Sequence, residues 1–319
     1  MGRYIIRRII WGILLLVIVC ALTFVFFRVF PTANPALLRA GRDPQPKHVK
    51  EIEEVLGLGK PLYVQFWDYM KEVLLHGKLG YSYYNQESVN QLIKERLPAT
   101  ISLAAGAAVL WLVAGLGVGI ISALRRHSFM DRASMGTALV LISAPEFWLG
   151  LVLLLLFSEG IGKFPILPGA GTYVGITVDP WKWFTSLIMP WIALAAGGAA
   201  VYARLMRGSM LETMNEDYIR TARAKGLPER QVVKHGVRSS LNPIVSLLPL
   251  EVGVLLGGAV LIETVFNIPG VGRLAYQSIS DSDFAVIEGT VLLAAFFIII
   301  ANIVVDILYA YLDPRVRFS

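Results

Sequence analysis

Six stretches of the chain are apolar and almost free of charge. Residues 9–27, 99–124, 185–203 and 289–305 contain no Asp, Glu, Lys or Arg. Residues 133–158 are interrupted only by Glu146, and residues 239–262 only by Glu251. About 20 apolar residues suffice to cross a bilayer as a helix. A helix suits lipid because it satisfies its own backbone hydrogen bonds. The pattern therefore predicts an all-α polytopic membrane protein with six transmembrane helices. The first run follows Arg3, Arg7 and Arg8, as a signal peptide would, but its 19 residues are long for one and no small-x-small cleavage site follows. An uncleaved anchor is expected, with Cys20 as a small apolar residue inside it.

The segments between the runs are polar or mixed. Residues 31–98 are too long for a plain loop and carry helical periodicity. Val49, Ile52, Val55 and Leu56 line one short helix, ended by Gly57 and Gly59. Leu62, Phe66, Tyr69, Met70 and Val73 line a second, ended by Gly77. Val89, Leu92, Ile93 and Leu97 line a third, stopped by Pro98. This is a small helical cap, which could either cover the helix ends or dock a soluble partner. Residues 159–186 are rich in Gly, Pro and aromatic residues, with Trp181 and Trp183 in the position of an interfacial anchor belt.

Composition agrees with the pattern. Hydrophobic residues make up 55% and charged residues 16%, and the mean hydropathy is +0.62. Soluble domains hold about 25% charged residues. The net charge of +6 would ordinarily raise nucleic acid as a partner, but its distribution removes that need. The N-terminal segment, the loops 125–132 and 204–242, and the tail 313–319 together carry +10; the segments 31–98, 159–186 and 267–288 carry −1; the spans carry −3. The bias of Lys and Arg places the first set, with both termini, in the cytoplasm. The expected organisation is a cytoplasmic N-terminus with helix 1 over 1–30, an extracytoplasmic helical segment over 31–98, a five-helix core over 99–312 that includes the cytoplasmic loop 204–242, and a cytoplasmic tail over 313–319.

Half of the cytoplasmic basic residues lie in the loop 204–242. It reads as two short helices. The first runs from about Asn215, a capping type of residue, to Lys225, with Gly226 in the left-handed cap position. Pro228 opens the second. Ala222 and Ala224 leave a low-relief face beside Arg220, Arg223 and Lys225, suited to a groove in another protein. A basic hairpin that only enforces topology would show the same features. Within the spans, Glu146, Glu251, Glu263 and Asp306 are costly in lipid and are expected to face protein or water. Glu251 is the most central and is the leading residue for a translocation path, with Glu146 at a kink behind Pro145; a hydrogen bond between helices is the alternative for Glu251. Glu263 and Asp306 lie near span ends, where structural roles are expected. The pairs Gly115/Gly119 and Gly253/Gly257 have the small-x3-small spacing that lets membrane helices approach. There is no Gly-x4-Gly-Lys-Ser/Thr loop, and the four histidines have no metal-ligand spacing. No catalytic, cofactor or metal site is expected in the chain.

The run Asp217-Tyr218-Ile219-Arg220-Thr221-Ala222-Arg223-Ala224-Lys225-Gly226-Leu227, followed by His235 and Arg238, resembles the coupling loop of ATP-binding-cassette importer permeases. The form is that of the first permease subunit of the dipeptide/oligopeptide branch. The resemblance extends through Gly57-Leu58-Gly59-Lys60-Pro61-Leu62, Arg96-Leu97-Pro98-Ala99-Thr100, Ser143-Ala144-Pro145-Glu146-Phe147-Trp148-Leu149-Gly150 and Glu263-Thr264-Val265-Phe266-Asn267-Ile268-Pro269-Gly270-Val271-Gly272. Arg220-Thr221-Ala222 stands where the broader family has Glu-Ala-Ala, and Ser239-Ser240 where the branch usually has Asn-Ala.

The resemblance implies the type I importer permease fold with a small helical extracytoplasmic insert, in a bacterial or archaeal plasma membrane. It implies a second homologous permease subunit, two cytoplasmic ATP-binding subunits that hold ATP and Mg, an extracytoplasmic solute-binding protein, and a peptide substrate. Asp217, Tyr218, Arg220, Thr221, Ala222, Ala224, Lys225 and Gly226 would form the ATPase interface. Nickel, glutathione or a sugar could replace the peptide within the same class. The rival class is an ion-coupled secondary transporter working through the buried acids, although the inverted repeat common in that class is not evident; a membrane scaffold without transport is the third reading.

Overall fold

The computed structural model describes residues 2–29, 59–82 and 84–312. The predicted helix over 49–56 and the tail 313–319 lie outside them. In chain order the elements are α1 (Gly2–Phe24), which runs into a π-helical turn (Val25–Val29), α2 (Leu62–His76), β1 (Tyr81–Ser82), β2 (Glu87–Ser88), α3 (Val89–Leu124), α4 (Phe129–Ser143), α5 (Glu146–Phe157), α6 (Pro180–Thr213), α7 (Asp217–Ala224), α8 (Glu229–Ser240), α9 (Asn242–Leu256), α10 (Val260–Val265), α11 (Val271–Ser280) and α12 (Phe284–Leu312). The two strands pair antiparallel, Tyr81 opposite Ser88 and Ser82 opposite Glu87.

Four stretches are long and apolar enough to cross a membrane: Ile6–Phe27, Val89–Leu124, Pro180–Thr213 and Phe284–Ile307. The other two predicted spans are bent pairs, α4 with α5 at 104° and α8 with α9 at 46°, and counting each as one span gives six. The proline in each break explains the bend. Pro145 pushes Ala144 into extended backbone (φ −83, ψ 126) and ends α4. Pro243, in the first turn of α9, opens a new helix. The run 239–262 is broken again at Gly257 and Gly258, where φ of +121 at Gly258 and a backbone approach to Gly272 leave no room for a Cβ.

The centre of the molecule is α3 against α6. A Cβ on Gly115 would lie 2.8 Å from the Ala199 carbonyl oxygen, and one on Gly119 2.7 Å from that of Ala203, so the predicted small-residue pair brings the two backbones into contact. Gly253 and Gly257 do the same for α9 against Ala301 and Ala294 of α12. Two apolar clusters stack along this axis. Leu103, Ala107, Leu187, Trp191, Ile262 and Phe266 form one, and Trp111, Tyr202, Met206, Met210 and Ile244 the other.

The outer insert differs from expectation in one place. The helix predicted to begin at Leu62 and end at Gly77 is α2, and Gly77 has φ +61. Its Met70 packs with the fully buried Cys20 and with Leu292, so α2 lies beside α1 and α12. The helix expected to stop at Pro98 instead continues through it as the first part of α3. Pro98 is exposed, and so is Lys94, whose carbonyl loses its intrahelical donor there; water can replace that bond, and the helix survives. The expected tryptophan belt is divided. Trp181 is 73% exposed, whereas Trp183 packs edge-on against Trp191 with ring centroids 5.4 Å apart. Asp306, given a structural role, pairs with Arg8 at 2.9 Å and links the first and last helices.

Candidate coupling hairpin and translocation path

The loop 204–242 is a helical hairpin hung from the end of α6. The chain leaves α6 after Thr213, turns, and forms the eight-residue α7. Asn215 is not its cap: the Asn215 amide donates back to the Leu211 carbonyl at 2.9 Å, and Glu216 takes the cap position without a side-chain bond. The helix ends as predicted. Gly226 has φ +77, its N–H donates to Arg223 O at 2.9 Å, and Leu227 N donates to Ala222 O. Pro228 then caps α8 rather than entering it.

One residue anchors α7. Ile219 is completely buried, and Val232 of α8 is too. Behind them Gly236 faces the sulfurs of Met210 and Met214, and Ser240 donates to Gly236 O at 2.8 Å and meets the Thr213 hydroxyl at 3.1 Å. Of the predicted interface residues, all but Ala222 are exposed. Asp217, Tyr218, Arg220, Thr221, Ala224, Lys225 and Gly226 are exposed, and Ala222 is half-buried. Their positions are held locally. Arg220 pairs with Asp217 at 3.3 Å, and the Thr221 hydroxyl donates to Asp217 O at 2.9 Å. Arg223 grips Glu229 through Nε at 3.3 Å and Nη2 at 2.8 Å, across the turn into α8. The Arg223 guanidinium holds the Glu229 carboxyl below its ordinary value of 4.5. The result is a short, stiff, polar helix with a low-relief centre at Ala222.

The two candidate path residues lie apart from this hairpin. Glu146 is the first residue of α5, at the elbow of the bent pair, and is exposed. Its Oε1 lies 3.9 Å from the Cβ position of Gly197 in α6. Glu251 is half-buried in the middle of α9, and the two carboxylates are close enough to interact electrostatically. Neither makes an ion pair among the described residues. Tyr202 is also within electrostatic range of Glu251. Together α5 and α9 bring two acidic side chains to one flank of α6.

Glu263 is structural. It is fully buried and accepts from the Thr100 hydroxyl at 2.7 Å and from Arg273 N at 2.8 Å; Val271 N in turn donates to the Thr100 oxygen at 2.9 Å. A Cβ on Gly270 would lie 2.2 Å from the Glu263 carboxyl carbon. The segment 263–272 is thus a tight turn wound around one carboxylate at the N-terminus of α11, where backbone N–H groups favour an anion. Sequence reasoning had placed Glu263 at a span end but not its partner Thr100, 163 residues away.

The family model described as "Binding-protein-dependent transport system inner membrane component" matches residues 115–318, and its N-terminal companion matches residues 1–104. The chain belongs to this family. A relative from Brucella abortus (strain 2308), named as a peptide transport system permease protein, is 40% identical over 320 residues, covering 100% of both chains. The glutathione transport system permease protein GsiC of Escherichia coli O6:H1 is 38% identical, and that of Salmonella typhimurium (strain LT2) 37%, each again over 100% of both chains. The protein is therefore a multi-pass membrane permease subunit of the ABC-importer type.

The permease also contains a feature that sequence reasoning missed. Asp131, in the first turn of α4, pairs with Arg207 of α6. An acidic residue three positions after Ser128 is a helix-start signature, and it was the one available signal. The partner in α6 left none.

Proposed function

We propose that this permease forms half of the translocation path of an ATP-driven peptide importer and couples ATP hydrolysis by separate subunits to alternating access. The observation that carries the reading is α7: a rigid helix with only Ile219 fully buried and a polar, low-relief face turned outward. Two cytoplasmic ATP-binding subunits would hold ATP and Mg, and one of them would receive Asp217, Tyr218, Arg220, Thr221, Ala222, Ala224, Lys225 and Gly226 in a cleft. The chain itself would not hydrolyse ATP. A second, homologous permease subunit completes the path, and a solute-binding protein delivers substrate at the opposite end. The charge difference between +10 and −1 supports a cytoplasmic location for α7 and both termini. Glu146 and Glu251 supply negative charge along the path, suited to a peptide ammonium group.

A peptide is the favoured substrate because the Brucella relative is named for peptide transport and the acidic flank suits a free amino terminus. Glutathione is the second reading, favoured by the relatives named for it; it is itself a small peptide with an ammonium group. The test is uptake of labelled di-, tri- and oligopeptides and of glutathione by the assembled complex in proteoliposomes, with Ala222→Trp in parallel. Ala222→Trp should keep the chain in the membrane and lower substrate moved per ATP hydrolysed. Undiminished uptake in that variant contradicts the coupling role. Uptake driven by a proton gradient without the ATP-binding subunits would establish the secondary-transporter alternative instead.

A further inference from the structure

Movement of the hairpin has to reach the path carboxylates. α6 continues as helix beyond the apolar run through residues 204–213, about 15 Å of overhang at 1.5 Å per residue. Along that overhang, Arg207 joins α6 to another element through charge. Its Nε lies 2.7 Å from Asp131 Oδ1 and its Nη2 2.9 Å from Oδ2, a two-pronged contact. Asp131 is 3% exposed, and the remainder of its carboxylate is also occupied: His127 N donates to Oδ2 at 2.9 Å, and the Ser122 hydroxyl of α3 donates to Oδ1. The turn between α3 and α4 is folded around this group, with His127 held at φ +64. Three helices meet on one carboxylate.

The direction of the linkage matters. α4 is the first arm of the 104° elbow, and Glu146 opens the second arm. At its other end, α6 carries α7 and α8. One turn from Arg207, Gly119 holds the α3 and α6 backbones in contact, so a shift of the overhang carries α3 with it. A two-pronged guanidinium–carboxylate contact fixes orientation as well as distance, which a lysine ammonium does not. We propose that Asp131 and Arg207 are positioning residues that pass displacement of the α7–α8 hairpin to the α4–α5 elbow and thereby to the path. The inference rests on the reading of 217–226 as the ATPase contact.

The experiment is carried out on the complete complex, both permease subunits with the ATP-binding subunits and binding protein, in proteoliposomes. It measures peptide taken up per ATP hydrolysed, a ratio that a purely structural role would leave unchanged in whatever complex assembles. Arg207→Lys keeps the charge and loses the fork; Asp131→Asn keeps the shape and loses the charge. Each should lower the ratio roughly two- to thirtyfold. The double variant should be no worse than the worse single one. An unchanged ratio in both assembled variants overturns the proposal. So does failure of both to assemble, since the pair would then be a folding staple. Ala222→Trp measured alongside separates the two readings. If it lowers the ratio while the Arg207 and Asp131 variants do not, only the linkage has failed; if it also leaves the ratio unchanged, the hairpin reading has failed with it.

Discussion

Asp131 and Glu263 are both carboxylates buried in an otherwise apolar bundle, and they are satisfied in different ways. Asp131 is held by side chains from other helices, Arg207 and Ser122, with one backbone N–H. Glu263 has a hydroxyl from Thr100 and backbone N–H of its own turn, and its surroundings include glycines that leave no space for a side chain. A contact made by side chains between separate helices can transmit or release movement. At Glu263 only Thr100 comes from a separate helix, and backbone of the turn itself closes around the carboxylate, so the arrangement favours holding a shape. The difference separates a joint from a frame: the joint lies near the hairpin and the frame at the α10–α11 turn.

Five substitutions sharpen or break this contrast. The largest effect is expected at the frame. Gly270→Ala puts a Cβ into the Glu263 carboxyl group, and the cost should be about 4–5 kcal/mol or more, the size reserved for core disruption. Membrane-inserted, monodisperse protein after detergent extraction should be nearly lost; near-normal yield would show that the turn can yield. Next is the joint. Asp131→Ala leaves Arg207 partly buried without its counter-ion, at a cost of about 3–5 kcal/mol. Thermal unfolding followed by intrinsic fluorescence should show a clear fall in midpoint, and Asp131→Asn a smaller one. Thr100→Val removes one donor to Glu263 and one acceptor for Val271 N, and should cost about 1–3 kcal/mol in the same assay.

The smallest effect is in the exposed hairpin. Glu229 is lowered by Arg223 in the folded state, so the pair contributes at neutral pH and fades as pH falls below the ordinary value of 4.5 through the lower folded value. Exposed pairs contribute little. Protease cutting within the α7–α8 turn should rise modestly on acidification in the unmodified protein. In Glu229→Gln it should be slightly raised and independent of pH over that range.

Much of the architecture was legible because lipid imposes a strong pattern. The six apolar runs, the Gly77 and Gly226 caps and both small-residue pairs follow from local composition. The elbow at Pro145 was foreseen as a kink but not at 104°, because a proline marks a break without fixing the angle. Pro98 misled: a proline removes one intrahelical bond without deciding whether the helix ends, and α6 likewise runs through the buried Pro190. Asn215 misled because the extended backbone that a cap position needs falls one residue later, at Glu216, while the Asn215 amide donates back to Leu211 O. The exposed charged residues of α7 were readable from its composition, but Ala222, one turn from the buried Ile219, is half-buried. The Asp131–Arg207 and Thr100–Glu263 contacts were not readable, because residues 76 and 163 positions apart leave no periodic trace.

The most direct test uses the fact that Cys20 is the sole cysteine and is buried. Ala222→Cys and Tyr218→Cys would carry a short photo-crosslinker in the purified complex, with Tyr84→Cys as the control on the insert. The account predicts that an ATP-binding subunit is captured from positions 218 and 222, with a yield that changes on nucleotide binding, and not from position 84. Capture of the ATP-binding subunit from position 84 and not from 218 or 222 would contradict it.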